Sequence, residues 1–142
     1  MQDQIYFYCD TSEKIETPFF QMPVAAGFPS PAEDYIEKNL DLNELIIKNP
    51  NSTFFVRVEG DSMKDAGIHT GDILVVDKSL KTVSGSIIIA LIDGEFTVKR
   101  FIKSLDGCYL EPANKAFSTI KITEYTDFQV WGIVTYVIHR PC

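Results

Sequence analysis

Ser62 and Lys99 are the residues of this chain whose types and setting suit covalent chemistry. Ser62 lies in the acidic turn VEGDSMKDAGIHTGD, Val58 to Asp72, between two apolar runs, and its hydroxyl becomes a nucleophile only if a base takes its proton. A G-x-S-x-G elbow needs glycine at position 64, where Lys64 stands, and Gly67 and Gly71 interrupt the helix that should follow. His69 lies between Gly67 and Gly71 in a turn and His139 beside Arg140 near the C-terminus, so both read as surface residues and no Ser-His-Asp set assembles. A lysine replaces histidine as the base when burial removes its charge, because a neutral amine accepts a proton and an ammonium cannot.

That requirement selects among the lysines. Lys64, Lys78, Lys81, Lys103, Lys115 and Lys121 fall in or beside polar turns, whereas Lys99 lies inside EFTVKRF, a strand-like run. Alternation puts Thr97, Lys99 and Phe101 on one face and Phe96, Val98 and Arg100 on the other. Bringing a lysine from its reference pKa of about 10.4 to roughly 7–8 requires about 4–5 kcal/mol of destabilisation of its charged form by the fold. The plainer reading stands beside this one: strand lysines are commonly solvated edge charges, and turn serines commonly serve only the turn.

The elements that must position the pair are strands. From Thr53 onward TFFVRV, DILVVD, SIIIALI, EFTVKRF, CYLEP and FQVWGIVTYVI are β-branched or aromatic runs separated by Gly, Asp and Ser, so the fold class is mainly β. Asp93-Gly94 between two of these runs predicts a two-residue hairpin turn. Upstream, the prolines at 18, 23, 29 and 31 hold TPFFQMPVAAGFPSP extended, which reads as an arm. Ser30-Pro31-Ala32-Glu33 is a helix-start signal and predicts a short helix with Tyr35, Ile36 and Leu40 on one side. Asp41-Leu42-Asn43-Glu44 repeats the signal and predicts a second helical piece ending before Pro50.

Composition narrows the function classes. The chain of 142 residues, 45% hydrophobic and 23% charged, is that of a globular protein, and its net charge of −7 opposes direct specific DNA binding, which depends on clustered Lys and Arg. Cys9, Cys108 and Cys142 are odd in number and scattered, offering neither a C-x-x-C metal pattern nor a disulfide framework, which fits a reducing, cytoplasmic setting. Residues 1–26 carry Asp3, Asp10, Glu13 and Glu16 against Lys14, unlike a secretory signal, and no apolar run is long enough to cross a membrane.

With these residues in view the sequence resembles the self-cleaving Ser/Lys peptidases of the SOS response, the family of the LexA repressor and the UmuD mutagenesis protein. EGDSM (Glu59 to Met63) resembles the family's nucleophile turn, GIHTGDILVVD (Gly67 to Asp77) the strand after it, and DGEFTVKRF (Asp93 to Phe101) the segment bearing the general base. Ser62 and Lys99 stand 37 residues apart, as the family requires. Ala26-Gly27 within VAAGFPSP resembles the self-cleavage site. A repressor needs a helix-turn-helix with basic contacts, whereas acidic, proline-interrupted residues precede Gly27, and GFPSPAEDY looks like the UmuD-type branch.

The resemblance implies a compact LexA-like peptidase domain of short twisted strands with one or two short helices over residues 41–142, after an N-terminal arm, residues 1–40, that carries the cleavage site. It implies Ser62 as nucleophile, Lys99 as general base, cleavage between Ala26 and Gly27, and no metal or cofactor. The implied partners are a second copy in a homodimer, the RecA filament on single-stranded DNA as co-protease, and a Y-family polymerase subunit in an error-prone translesion polymerase. TPFF in the arm offers an aromatic pair for docking a partner such as the sliding clamp or a protease, and the plainer reading, that the pair covers its own domain, stands beside it. Two other readings stay open at the level of sequence: a non-catalytic interaction subunit with a vestigial site, and a LexA-like repressor core.

Overall fold

The computed structural model describes residues 5–6, 13–20, 24, 26–27 and 37–141. In chain order its elements are β1 (Ile5–Tyr6), β2 (Glu16–Phe20), β3 (Glu37–Asp41), α1 (Leu42–Ile46), β4 (Thr53–Arg57), β5 (Ile73–Asp77), β6 (Ile87–Ile92), β7 (Glu95–Ser104), β8 (Gly107–Glu111), β9 (Ile120–Ile122) and β10 (Phe128–Ile138). The fold is mainly β, as the runs after Thr53 predict, and the chain divides into two compact units. Among the described residues no helix is long and apolar enough to cross a membrane.

The larger unit, residues 1–9 and 49–142, carries an eight-stranded antiparallel sheet in the order β1-β4-β5-β10-β6-β7-β8-β9. Asp93 and Gly94, with φ of 47° and 84°, form the two-residue link between β6 and β7, the left-handed pair that suits the twist of a hairpin. β5 and β6 bury consecutive residues, Leu74 to Val76 and Ile88 to Ala90, so both of their faces are covered there, which is why they read as unbroken apolar runs. Phe54, Val56, Leu74, Val76, Ile89 and Val98 pack in one cluster with Met63 and Ile68, while Ile88, Ala90 and Leu110 form another. Full burial of each such aliphatic side chain contributes about 1.5–3 kcal/mol. β10 lies centrally between β5 and β6, and its register shifts between Val130 and Gly132. A Cβ at Gly132 would lie 2.6 Å from Val76 Cγ1, so a residue without a side chain is required at that approach.

The smaller unit, residues 10–48, contains β2 paired with β3, from Glu16↔Asp41 to Phe20↔Glu37. α1 forms where the second start signal predicts it: the Asp41 carboxylate accepts from the Asn43 N–H at 2.9 Å, and the turn ends at Ile47. The first predicted helix is corrected at its C-terminal end, since residues 37–41, Leu40 included, form β3; residues 30–36 lie outside the described residues. The capping signal at Ser30 is local, whereas β2 offers the backbone of 37–41 a full ladder of partners, and tertiary pairing overrides propensity. Pro18 is tolerated within β2 because a two-stranded ribbon leaves an outer edge that needs no N–H.

Candidate active site

Three neighbouring segments build the site. β4 ends at Arg57 and the chain turns through Gly60, whose φ of 106° is left-handed, before Ser62 and a single 3-10 turn, Lys64–Ala66, closed by Gly67 at φ 80°. The segment after β8 clamps this turn from outside. The Ala113 N–H donates to the Ser62 carbonyl at 2.8 Å, the Asp65 N–H donates to the Ala113 carbonyl at 2.8 Å, and Asn114 Nδ2 donates to the Asp61 carbonyl at 2.9 Å. Met63, 3% exposed, anchors the turn in the core beside Ile68. Ser62 is thereby held at an irregular stretch of backbone by packing and by backbone bonds on both sides.

β7 supplies the second group. Lys99 is only 6% exposed and Ser62 5%, and Lys99 Nζ lies 3.0 Å from Ser62 Oγ. The amine also donates to Thr97 Oγ1 at 2.7 Å and to the Val98 carbonyl at 3.0 Å. Thr97 shares the face of Lys99, as alternation predicts, and the residues paired across from them on β6 are Ala90 and Ile88, both fully buried. An ammonium has three N–H donors and no lone pair, whereas a neutral amine has two donors and one acceptor site. Ser62 Oγ, Thr97 Oγ1 and the Val98 carbonyl all lie within 3.0 Å of Nζ, a setting that accommodates either form; only the neutral form, with its lone pair turned to Ser62 Oγ, can take the hydroxyl proton. Burial in general opposes the charged form of an amine, and both Ser62 and Lys99 are buried.

Beside Ser62 Oγ, the N–H groups of Asp61, Ser62 and Met63 donate to no acceptor among the described residues. Unused donors in the turn that holds a nucleophile are the arrangement that stabilises an oxyanion. Ala26 and Gly27 belong to the smaller unit and are exposed, and nothing lies within 4 Å of a Cβ built on Gly27. The histidines engage Asp72: His139 Nδ1 lies 2.6 Å from its Oδ1, and the His69 N–H donates to its Oδ2 at 2.8 Å.

Asn114 and Ala113, which fix the turn, escaped the sequence reading. ANKAF carries only the weak signal of an Asn in a loop after Pro112, and the contact that gives it meaning spans 53 residues.

The model of the Peptidase S24-like family matches residues 18–135. Protein SamA of Salmonella typhimurium is 50% identical over 123 residues, covering 87% of this chain and 85% of SamA. Protein MucA of Salmonella typhimurium is 42% identical over 143 residues, covering 99% of this chain and 97% of MucA. Protein ImpA of the same organism is 46% identical over 123 residues, 87% of this chain and 83% of ImpA. A peptidase-family match across most of the chain, with relatives of nearly its own length, agrees with a buried serine and lysine in hydrogen-bonding contact: the chain belongs to the Peptidase S24-like family, as a UmuD-type member of the LexA/UmuD group.

Proposed function

We propose that this protein is a self-cleaving serine peptidase that cuts its own Ala26–Gly27 bond. The observation that carries the proposal is the 3.0 Å contact between Ser62 Oγ and Lys99 Nζ, both buried. Ser62 Oγ attacks the Ala26 carbonyl carbon as neutral Lys99 takes the hydroxyl proton, and N–H groups of the Ser62 turn hold the resulting oxyanion. Collapse breaks the Ala26–Gly27 C–N bond, and the new ammonium of Lys99 gives its proton to the departing Gly27 amine. Lys99 then takes a proton from water as the water oxygen attacks the Ser62 ester, and returns it to Ser62 Oγ as the ester C–O bond breaks, releasing Ala26 as the new C-terminal acid, which ionises in solvent. Residues 1–40 act as the arm that carries the scissile bond, and residues 41–142 as the peptidase and dimerisation domain. The small side chain of Ala26 and the absence of one on Gly27 let an extended strand enter a narrow cleft.

A tethered substrate has a high effective concentration, so the cleavable arrangement must be a minor state at rest if the uncut chain is to be regulated. An activator that prefers this state raises its population in proportion to its differential affinity. Membership of the UmuD-type branch supports a RecA filament on single-stranded DNA in that role, within the SOS response to DNA damage in the cytoplasm. It also supports a processed homodimer that serves as accessory subunit of a Y-family translesion polymerase.

Mass spectrometry of the intact protein incubated with RecA, single-stranded DNA and a nucleotide tests the reading. The expected product begins at Gly27 and is absent in Ser62→Ala and Lys99→Ala. An uncut wild-type chain would leave an interaction subunit with a vestigial site, and cutting that persists in either variant would remove that residue from the mechanism.

A further inference from the structure

The turn His69-Thr70-Gly71-Asp72 and the residues just past β10, His139 and Arg140, line an open cavity of about 460 Å³. Asp72 is 3% exposed, a buried carboxylate at the entry to β5. Its Oδ2 accepts from the His69 backbone and its Oδ1 faces His139 Nδ1 at 2.6 Å. A carboxylate oxygen accepts, so Nδ1 carries the hydrogen, and the lone pair of neutral His139 resides on Nε2. This is the outer-shell arrangement that orients ligating histidines in metalloproteins: one ring nitrogen donates to a carboxylate and the other is free to bind.

The second imidazole is close by. The ring centres of His69 and His139 are 5.3 Å apart and the planes are tilted by 50°, which is not parallel stacking. Two imidazoles bound to one tetrahedral ion through nitrogens at ~2.0–2.1 Å place their ring centres about 5 Å apart. We propose that His69 and His139 form a binding site for a divalent transition-metal ion such as zinc, with Asp72 as the outer-shell partner of His139 and water completing the coordination. Among the described residues no group of three His, Cys, Asp or Glu side chains converges, so the protein supplies two ligands and the affinity is modest. Imidazole donors select zinc, copper and nickel over magnesium and calcium. Arg140 also lines the cavity, and its positive charge opposes a cation while the Asp72 carboxylate favours one. The site would pin the chain beyond β10 to the turn that leads from Ile68, a core neighbour of Met63, into β5. The proposal depends on this cavity alone and is independent of the peptidase reading.

Isothermal titration of zinc chloride into the untagged chain tests it, in a C9S/C108S/C142S background that removes thiol ligands. One zinc per chain is expected, with a rise in thermal unfolding midpoint, and binding at least about tenfold weaker in His69→Ala and in His139→Ala. His69→Ala keeps the backbone bond to Asp72, so loss of binding there without loss of the fold is the cleaner result. Arg140→Ala is expected to bind zinc no more weakly than the parent. No zinc binding, or zinc binding that survives both histidine variants, would overturn the proposal. So would a site that takes inorganic phosphate in place of zinc and loses it in Arg140→Ala.

Discussion

Replacing Thr97 with valine removes one oxygen from the Lys99 environment while keeping the β-branched shape. The Thr97 Oγ1 to Lys99 Nζ bond is 2.7 Å long, on a lysine that is 6% exposed. A hydrogen bond contributes about 0.5–1.5 kcal/mol when both partners are neutral and about 1.5–3 kcal/mol when one is charged. In the resting site of the proposed mechanism the amine is neutral. As Ser62 attacks, it becomes an ammonium, so the bond strengthens on the way to the transition state. The variant therefore loses about 1–1.5 kcal/mol more in the transition state than at rest, roughly a tenfold slower cleavage.

The same difference has a signed effect on pH dependence. Thr97 supports the ammonium more than the amine, so without it deprotonation is easier and the rise of rate with pH moves to lower pH. Thr97→Ser keeps the oxygen and should retain most of the activity. The assay is the first-order appearance of the Gly27 fragment across a pH series, without activator. A valine variant with an unchanged rate at the alkaline plateau and an unmoved midpoint would refute the assignment of Thr97 and the neutral-amine bookkeeping behind it.

Two further outcomes test the scaffold. Gly132→Ala forces a Cβ to within 2.6 Å of Val76 Cγ1 and 3.3 Å of the Asp77 carbonyl in the middle of the sheet, and should cost about 1–3 kcal/mol in urea unfolding. A cost near zero would mean β10 moves freely against β5. At Asp77, burial opposes the charge, but hydrogen bonds from Asn49, Ser79 and Ser52 outweigh it and hold the carboxyl below its ordinary range. Such a group contributes stability that is present above the unfolded-state pKa of about 3.9 and is lost as pH falls through its lower folded value. Asp77→Asn should therefore be less stable than the parent at neutral pH, with the gap narrowing below about pH 4; a gap that widens in acid would contradict this.

Much of the framework around the candidate site was legible because it is written in short-range patterns. EFTVKRF gave a strand, its alternation gave Thr97 and Lys99 a common face, and Asp93-Gly94 gave the turn that sets their register against β6. That Lys99 meets Ser62 came from the resemblance, since a contact across 37 residues leaves no local trace. The same holds for Asn114 on the Asp61 carbonyl and for the meeting of His69 with His139, each of which reads alone as a surface residue. Leu40 reads as helical from sequence because the capping residues at Ser30 advertise a local start, while the partner of β3, β2, lies about twenty residues upstream in a proline-bearing stretch with no strand period. β9, three residues long, is too short to show a period of its own.

The proposed mechanism requires an amine without charge beside a serine hydroxyl, and nuclear magnetic resonance titration of the lysine side chains measures it directly. With the Lys99 Cε and Nζ signals assigned by comparison with Lys99→Arg, Lys99 is expected to titrate well below the ordinary lysine value of about 10.4, apart from the exposed lysines. A Lys99 signal that titrates together with the exposed lysines would contradict it.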